Sequence, residues 1–239
     1  APFLRGTGLT TSGILTPRLS ISGPLDDPRI DGDLTLAAGG FRVADPRVIA
    51  TDLEARAVLS RTLAVVTALT GVVNGGQLNG GGEVEYGSSA TLSARLSATL
   101  RGMALEVPEG LRSELDADLA LAVTDTPAGP GGSISGAVSV LHSAYRDQIA
   151  VVTGLLTTLR TARIGTLVPA EPTLLDRLAL DVRVVTDSDV IVDNNLARVQ
   201  MGGDLRIIGT AAAPSLSGRL ELREGGRLSL GRNTYTIES

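Results

Sequence analysis

Alternation of apolar and polar residues with a period of two governs this chain. In LRSELDADLALAV, Leu115, Leu119, Leu121 and Val123 share one parity, while Glu114, Asp116 and Asp118 take the other. TLSARLSATL repeats the scheme, with Leu92, Leu96 and Leu100 against Arg95, Ser97 and Thr99. LALDVRVV sets Leu178, Leu180, Val182 and Val184 against Asp181 and Arg183. Successive side chains of a strand point to opposite faces, so each run is a strand with one apolar and one polar face. Glycine and Asn/Asp clusters punctuate the runs as turn chemistry requires, most densely in VNGGQLNGGGEVEYG, Val73 to Gly87. VTDTPAGPGG, Val123 to Gly132, reads as a loop. Two stretches break the rhythm: Asp52 to Gly71 and Ser143 to Arg163 each admit a helical reading. In the second, Ile149, Val152, Leu156 and Leu159 fall at near-helical spacing, although Gly154 and several Thr and Val residues work against a helix. The expectation is a helix or mobile excursion over 143–163 and strand pairs nearly everywhere else.

A repeat organises these strands. GDLRIIGTAAAPSLSGRLELREGG occupies Gly203 to Gly226, and at a constant offset of 186 its pattern lands on Leu19 to Gly40 without a gap. Ile21 matches Ile207, Gly23 matches Gly209, Pro28 matches Pro214 and Gly32 matches Gly218. Leu34 and Leu36 match Leu220 and Leu222. A shorter likeness links Gly75, Gly76, Leu78 and Gly80 to Gly131, Gly132, Ile134 and Gly136. The chain therefore reads as one elongated domain over 1–239 with repeat-like modules near 13–43, 72–142 and 178–239. Its first residues, APFLRGTG, read like text from the middle of a longer protein.

Composition decides what such strands can enclose. With two Phe, three Tyr and no Trp among 239 residues, the apolar surface is aliphatic. There is no cysteine, which excludes disulfides and thiolate chemistry. All 21 basic residues are Arg, which removes the lysine of a phosphate loop, a Schiff base or a lysine general base. A net charge of -5 opposes capture of a nucleic-acid backbone, and the scarcity of aromatics removes stacking platforms. No apolar run reaches the roughly 18 residues a spanning helix requires.

A sheet of one-faced strands must cover its apolar side. One solution is a closed sandwich or small barrel with sheets about 10 Å apart; the other is a sheet curled into an open trough whose inside meets something fluid and aliphatic. Tight packing usually draws bulk from aromatics, so this aliphatic, Ala- and Gly-rich lining suits the trough.

The last stretch, Leu180 to Ser239, resembles the C-terminal domain of the TamB family, the translocation and assembly module proteins related to AsmA-like proteins. The likeness is carried by NNLARVQMGGDL (Asn194 to Leu205), by Gly209 and Thr210 followed by Pro214, Leu216 and Gly218, and by EGGRLSLGRNTYTI (Glu224 to Ile237). NGGQLNGGG also resembles the family's upstream repeats. The resemblance implies an all-β fold, an elongated curled antiparallel sheet or β-taco groove with an apolar interior. It further implies a periplasmic location, a parent protein anchored in the inner membrane, phospholipid as cargo and a TamA-like outer-membrane barrel as partner. On this reading the lipid-facing side chains are Ile21, Leu34, Leu36, Leu92, Leu96, Leu100, Leu115, Leu119, Leu121, Leu178, Leu180, Val182, Val184, Leu205, Ile207, Leu220, Leu222, Leu228 and Leu230.

The residues that carry chemistry elsewhere fit bland roles. Glycine-rich words read as turns or bulges rather than phosphate cradles, the more so without Lys. Asp187, Asp189 and Asp193 lack the glycine and the further ligand of a calcium loop. His142, the single imidazole, has Ser143 and Asp147 nearby, but no G-x-S-x-G elbow accompanies them. The expectation is a protein without catalysis or cofactor. A lipid conduit, a dry stacked β-solenoid and a scaffold that pairs its sheet edge with an incoming strand remain as the competing functions.

Overall fold

The computed structural model describes residues 10–24, 29–44, 47–86, 92–107, 109–126, 129–148, 175–230 and 233–237. The alternating runs become strands of one 13-stranded sheet. In chain order they are β1 (Thr10–Ser22), β2 (Arg29–Val43), β3 (Val48–Ser60), β4 (Leu63–Val73), β5 (Gly76–Glu85), β6 (Ser93–Glu106) and β7 (Leu111–Thr126). There follow β8 (Gly129–Tyr145), β9 (Leu178–Asp193), β10 (Ala197–Thr210), β11 (Pro214–Leu222), β12 (Arg227–Leu230) and β13 (Asn233–Thr236). Each strand from β1 to β10 lies beside its sequence neighbour, and β10 is bordered on its far side by both β11 and β12. All pairings are antiparallel except β8 with β9. A parallel neighbour requires a crossover of about a dozen residues or more, and the chain between Tyr145 and Leu175 is long enough to supply it.

The sheet curls because its ladder is interrupted by bulges. Register shifts fall between Ser12 and Ile14, Leu36 and Gly39, Thr51 and Glu54, Val66 and Leu69, Leu100 and Met103, and Val140 and Ser143. Each inserted residue bends its strand and adds right-handed twist, so a band of bulges crossing many strands rolls the sheet. The bulges also keep the apolar residues on one side, since each phase slip in the sequence is absorbed where it occurs.

Three readings are corrected here. Asp52–Gly71 is not a helix: it forms most of β3 and β4, turning at Arg61 and Thr62. Bulges in both strands turn some of the apolar steps of two into steps of three, and that mixture imitates helical spacing. Val123–Gly132 is mostly strand, since β7 runs to Thr126 and β8 starts at Gly129, with Asp125 opposite Pro130. Among the described residues of the glycine-rich run Val73–Gly87, Asn74 and Gly75 make the turn, both at positive φ as a two-residue hairpin requires, while Gly80 to Gly82 lie within β5. The expected helix or excursion falls partly on β8, which ends at Tyr145, and partly on 149–163, outside the described residues.

The repeat is real in three dimensions. Ile21 pairs with Ile30 and Leu19 with Gly32 in the β1–β2 hairpin; Ile207 pairs with Leu216 and Leu205 with Gly218 in β10–β11. Adding 186 to the first register reproduces the second, so one hairpin is built at both margins of the sheet. Gly32 and Gly218 each adopt φ 140°, where a Cβ would run into the carbonyl oxygen of the facing strand.

The buried core is small. Ala50, Leu53 and Val73 are buried together, with Leu36, Phe41, Val48, Leu78, Leu100 and Met103 packed on them. Away from this cluster the sheet has one apolar and one charged face.

Candidate functional site: an apolar face shared by successive strands

Residues directly opposite one another in a ladder project from the same face. Followed from strand to strand, the register therefore shows which side chains stand together. One row runs Pro17, Leu34, Ala57, Val66, Gly82, Leu96, Leu121, Ile134, Leu180, Gly209, Pro214. The next runs Leu15, Leu36, Ala55, Leu69, Gly80, Ala98, Leu119, Gly136, Val182, Ile207, Leu216. On one side of these lies Leu19, Gly32, Leu59, Ala64, Val84, Ala94, Val123, Gly132, Leu178. On the other side lie Leu78, Leu100, Ala117, Val138, Val184, Leu205 and then Met103, Leu115, Val140, Thr186, Gly203, Leu220. No charged side chain interrupts any of these rows.

Every lipid-facing candidate whose strand is paired in these rows falls on this face. Ile21 stands opposite Ile30, beside Leu19, and Leu222 stands opposite Met201. Leu92 lies one residue before β6, in phase with Ala94 and Leu96, where its carbonyl accepts a hydrogen bond from Asp125 N–H (2.8 Å). Leu228 pairs with Ala197 and Tyr235, and Leu230 occupies the end of β12 opposite Asn233. Alternation alone missed the residues beyond each bulge. Met103 and Leu69 return to the apolar face after a step of three, as does Leu53, and a search permitting one such step per strand finds them.

The described residues do not fully cover this face. Leu115, Leu178 and Val182 are buried, yet toward the margins Ile21 is 70% exposed and Leu216 64%. Every side chain of β1 and β11 is exposed. One polar pair stands on the apolar side: the Ser143 hydroxyl, 2% exposed as a residue, lies 2.8 Å from that of Ser113. His142, its neighbour in sequence, is opposite Glu114 on the other face, so the two are separated by the sheet.

The reverse face is a lattice of arginines and carboxylates. Glu83 pairs with Arg95, Asp118 with Arg101, Asp193 with Arg198, and Asp181 and Asp204 with Arg206 and Arg183 across β9 and β10. Hydrogen bonds from Arg206, Arg183, Arg101 and Arg198 hold the carboxyls of Asp181, Asp204, Asp118 and Asp193 below the usual carboxylate range. Asp193 is thus engaged by Arg198; the side chains of Asp187 and Asp189 lie outside the described residues.

A single-layer curled sheet, apolar on one side and ionic on the other, is the setting in which kinship becomes decisive. A family model described as the TamB C-terminal domain matches residues 66–239. The chain belongs to the TamB C-terminal domain family. The match begins within β4, and the β1–β2 hairpin upstream repeats the β10–β11 hairpin inside it. Comparison with curated proteins returns no match, and comparison with solved structures returns none either. TamB proteins are envelope-associated and span the periplasm; they take part in outer-membrane assembly and transport together with a TamA-like outer-membrane protein. Among the described residues no helix is long and apolar enough to cross a membrane.

Proposed function

We propose that the apolar face carries phospholipid acyl chains across the periplasm between inner and outer membrane, as a passive and non-catalytic conduit. The observation that supports this reading most is the continuity of the aliphatic rows from β1 to β11, on a face left incompletely covered. Each methylene exposed to water costs about 0.8 kcal/mol, so an acyl chain crossing an aqueous gap alone meets a prohibitive barrier. A strip of Leu, Val, Ile and Ala shields those methylenes while the head group stays in solvent at the lip. Because neighbouring rows offer nearly the same weak contacts, the chain slides instead of being trapped. The parent protein's inner-membrane anchor and a TamA-like barrel would supply the two ends of the path.

Extraction of the purified protein followed by mass spectrometry tests the proposal. Phospholipid in stoichiometric amount is the expected result; protein free of lipid after purification from membranes, and unable to take it up from vesicles, overturns it. A second reading is supported by the margins: β1 and β11 are exposed along their whole length and carry Leu15, Leu19, Leu216 and Leu220, and among the described residues each has a ladder partner on one side alone. Such an edge can pair with the strand of an unfolded outer-membrane protein by β-augmentation. Co-purification of barrel precursors in place of lipid would favour it.

A further inference from the structure

The hairpin β4–β5 stops short of its neighbours at one rim of the sheet. Its turn residue Asn74 replaces the missing ladder: the Asn74 side chain accepts a hydrogen bond from Ile49 N–H (2.7 Å) and donates one to the Arg47 carbonyl (3.1 Å), while its own carbonyl accepts from Ala104 N–H (3.2 Å). The paired ends of β2–β3 (Val43 opposite Val48) and of β6–β7 (Glu106 opposite Arg112) extend past it on either side. Between them lies a cleft of about 690 Å³ with Asn74 in its lining, Arg47 on one wall and Glu109, Arg112 and Ser113 on the other. That volume lies within the range of small-ligand sites.

Two features set the cleft apart from ordinary rim surface. Its charges are unevenly satisfied: Arg112 is 3.7 Å from Glu106, whereas among the described residues Arg47 and Glu109 have no ion-pair partner and do not pair with each other. One positive and one negative group therefore face a single cleft unengaged. The cleft also opens onto the apolar face through Leu105 and Ser113, which stand opposite each other in β6–β7. Ser113 is the half-buried partner of the buried Ser143 hydroxyl (2.8 Å). With Ser143 donating, the Ser113 proton is free to meet an ester carbonyl.

We infer that this rim cleft binds the head group of a glycerophospholipid bearing both a phosphate and an ammonium, with phosphate on Arg47, ammonium on Glu109, an ester carbonyl at Ser113, and acyl chains running onto the face beyond Leu105. This rests on the conduit reading and adds to it a station where the head group is recognised. Arginine suits a phosphate because its fork donates two parallel hydrogen bonds.

Titration calorimetry of the whole chain with four probes tests the inference: dihexanoyl phosphatidylethanolamine, dihexanoyl phosphatidylglycerol, free phosphoethanolamine and decanol. The expected result is that Arg47→Gln weakens both lipids by about tenfold or more, as loss of a charge-assisted pair implies, while decanol binding is unchanged. Glu109→Gln should abolish the preference for the ethanolamine lipid over the glycerol lipid. Arg95→Gln, on the reverse face, serves as the control and should alter none of these. If both variants bind every lipid as the parent does while decanol still binds, the head-group site is wrong and the conduit stands. Equal affinity for free phosphoethanolamine and the lipid would overturn the lipid as source and leave a soluble phospho-amine site. If the parent chain binds neither decanol nor lipid, both proposals fall.

Discussion

Leu53 owes its position to two glycines. A Cβ on Gly39 would stand 3.0 Å from the Leu53 Cβ, and one on Gly71 would stand 2.5 Å from its Cδ2, so bare backbone on both flanking strands makes the slot this side chain fills. Phe41, one of only two phenylalanines in the chain, packs on the same cluster. Leu53→Ala is therefore expected to lower stability by about 2–3 kcal/mol, the cost of an unfilled methyl-lined hole in a small core, read as a lower urea midpoint with unchanged slope. On the other face, the Arg206 guanidinium holds Asp181 below its ordinary 3.8. A carboxyl whose value is lowered by folding stabilises the native state above its unfolded value, and that contribution disappears as pH falls through the folded value. Arg206→Gln should move the Asp181 titration upward toward 3.8, followed by carboxylate carbon NMR, and should make the acid limb of unfolding less steep. Because both groups are in solvent, added salt should reduce the difference between parent and variant.

At the scale of the strand, the bulge matters more than the residue it contains. In β6 the apolar set is Ala94, Leu96, Ala98 and Leu100 before the bulge, and Met103 and Leu105 after it. Deleting Gly102 would place Met103 and Leu105 two and four residues beyond Leu100, in phase for an unbroken ladder, so the strand would straighten there, lose the bend and twist the bulge supplies, and open the apolar face more widely to solvent. The expected outcome is stronger dye binding to exposed apolar surface and earlier aggregation on heating, whereas Gly102→Ala, which keeps the residue count, should cost far less. The same phase logic explains how far the sequence could be read. β7 has a single unbroken parity from Leu111 to Val123, and its lining was legible residue by residue. The 186-residue repeat was legible too, because hairpin register is fixed by local turn and glycine positions that recur together. Asp52 to Gly71 misled because its bulges insert steps of three among the steps of two, and a step of three is a spacing that helices use as well. The rim cleft left no trace in the sequence, since it arises from one hairpin being shorter than its neighbours. The Ser113–Ser143 pair was invisible for a related reason: those residues meet only through a register that the β8 bulge sets.

Across the whole molecule, the same hairpin occupies both margins, and every strand between them presents aliphatic side chains to one side. Among the described residues no second layer covers Leu19 and Leu220, whereas in a sandwich they would be covered as Val182 is. Stability then comes chiefly from the ladder, the small cluster around Leu53 and the buried middle of the rows, while the rows stay exposed toward the margins. A charge placed on that surface should discriminate between the two faces of a single strand. Leu121 stands between Leu96 and Ile134 on the apolar side, and Ala122, the next residue, stands between Arg95 and Ser133 on the other. Under the conduit proposal, Leu121→Asp should lower the phospholipid that co-purifies with the protein and block passage of acyl chains past the middle strands, because a carboxylate there repels hydrocarbon and draws water into the row. Ala122→Asp adds the same charge one residue away and should leave the lipid content unchanged. Circular dichroism of the two variants tells loss of fold from loss of cargo. Equal lipid content in both, with the sheet intact, would mean that hydrocarbon does not travel on this face, and the exposed strand edges would then be the surface on which the protein acts.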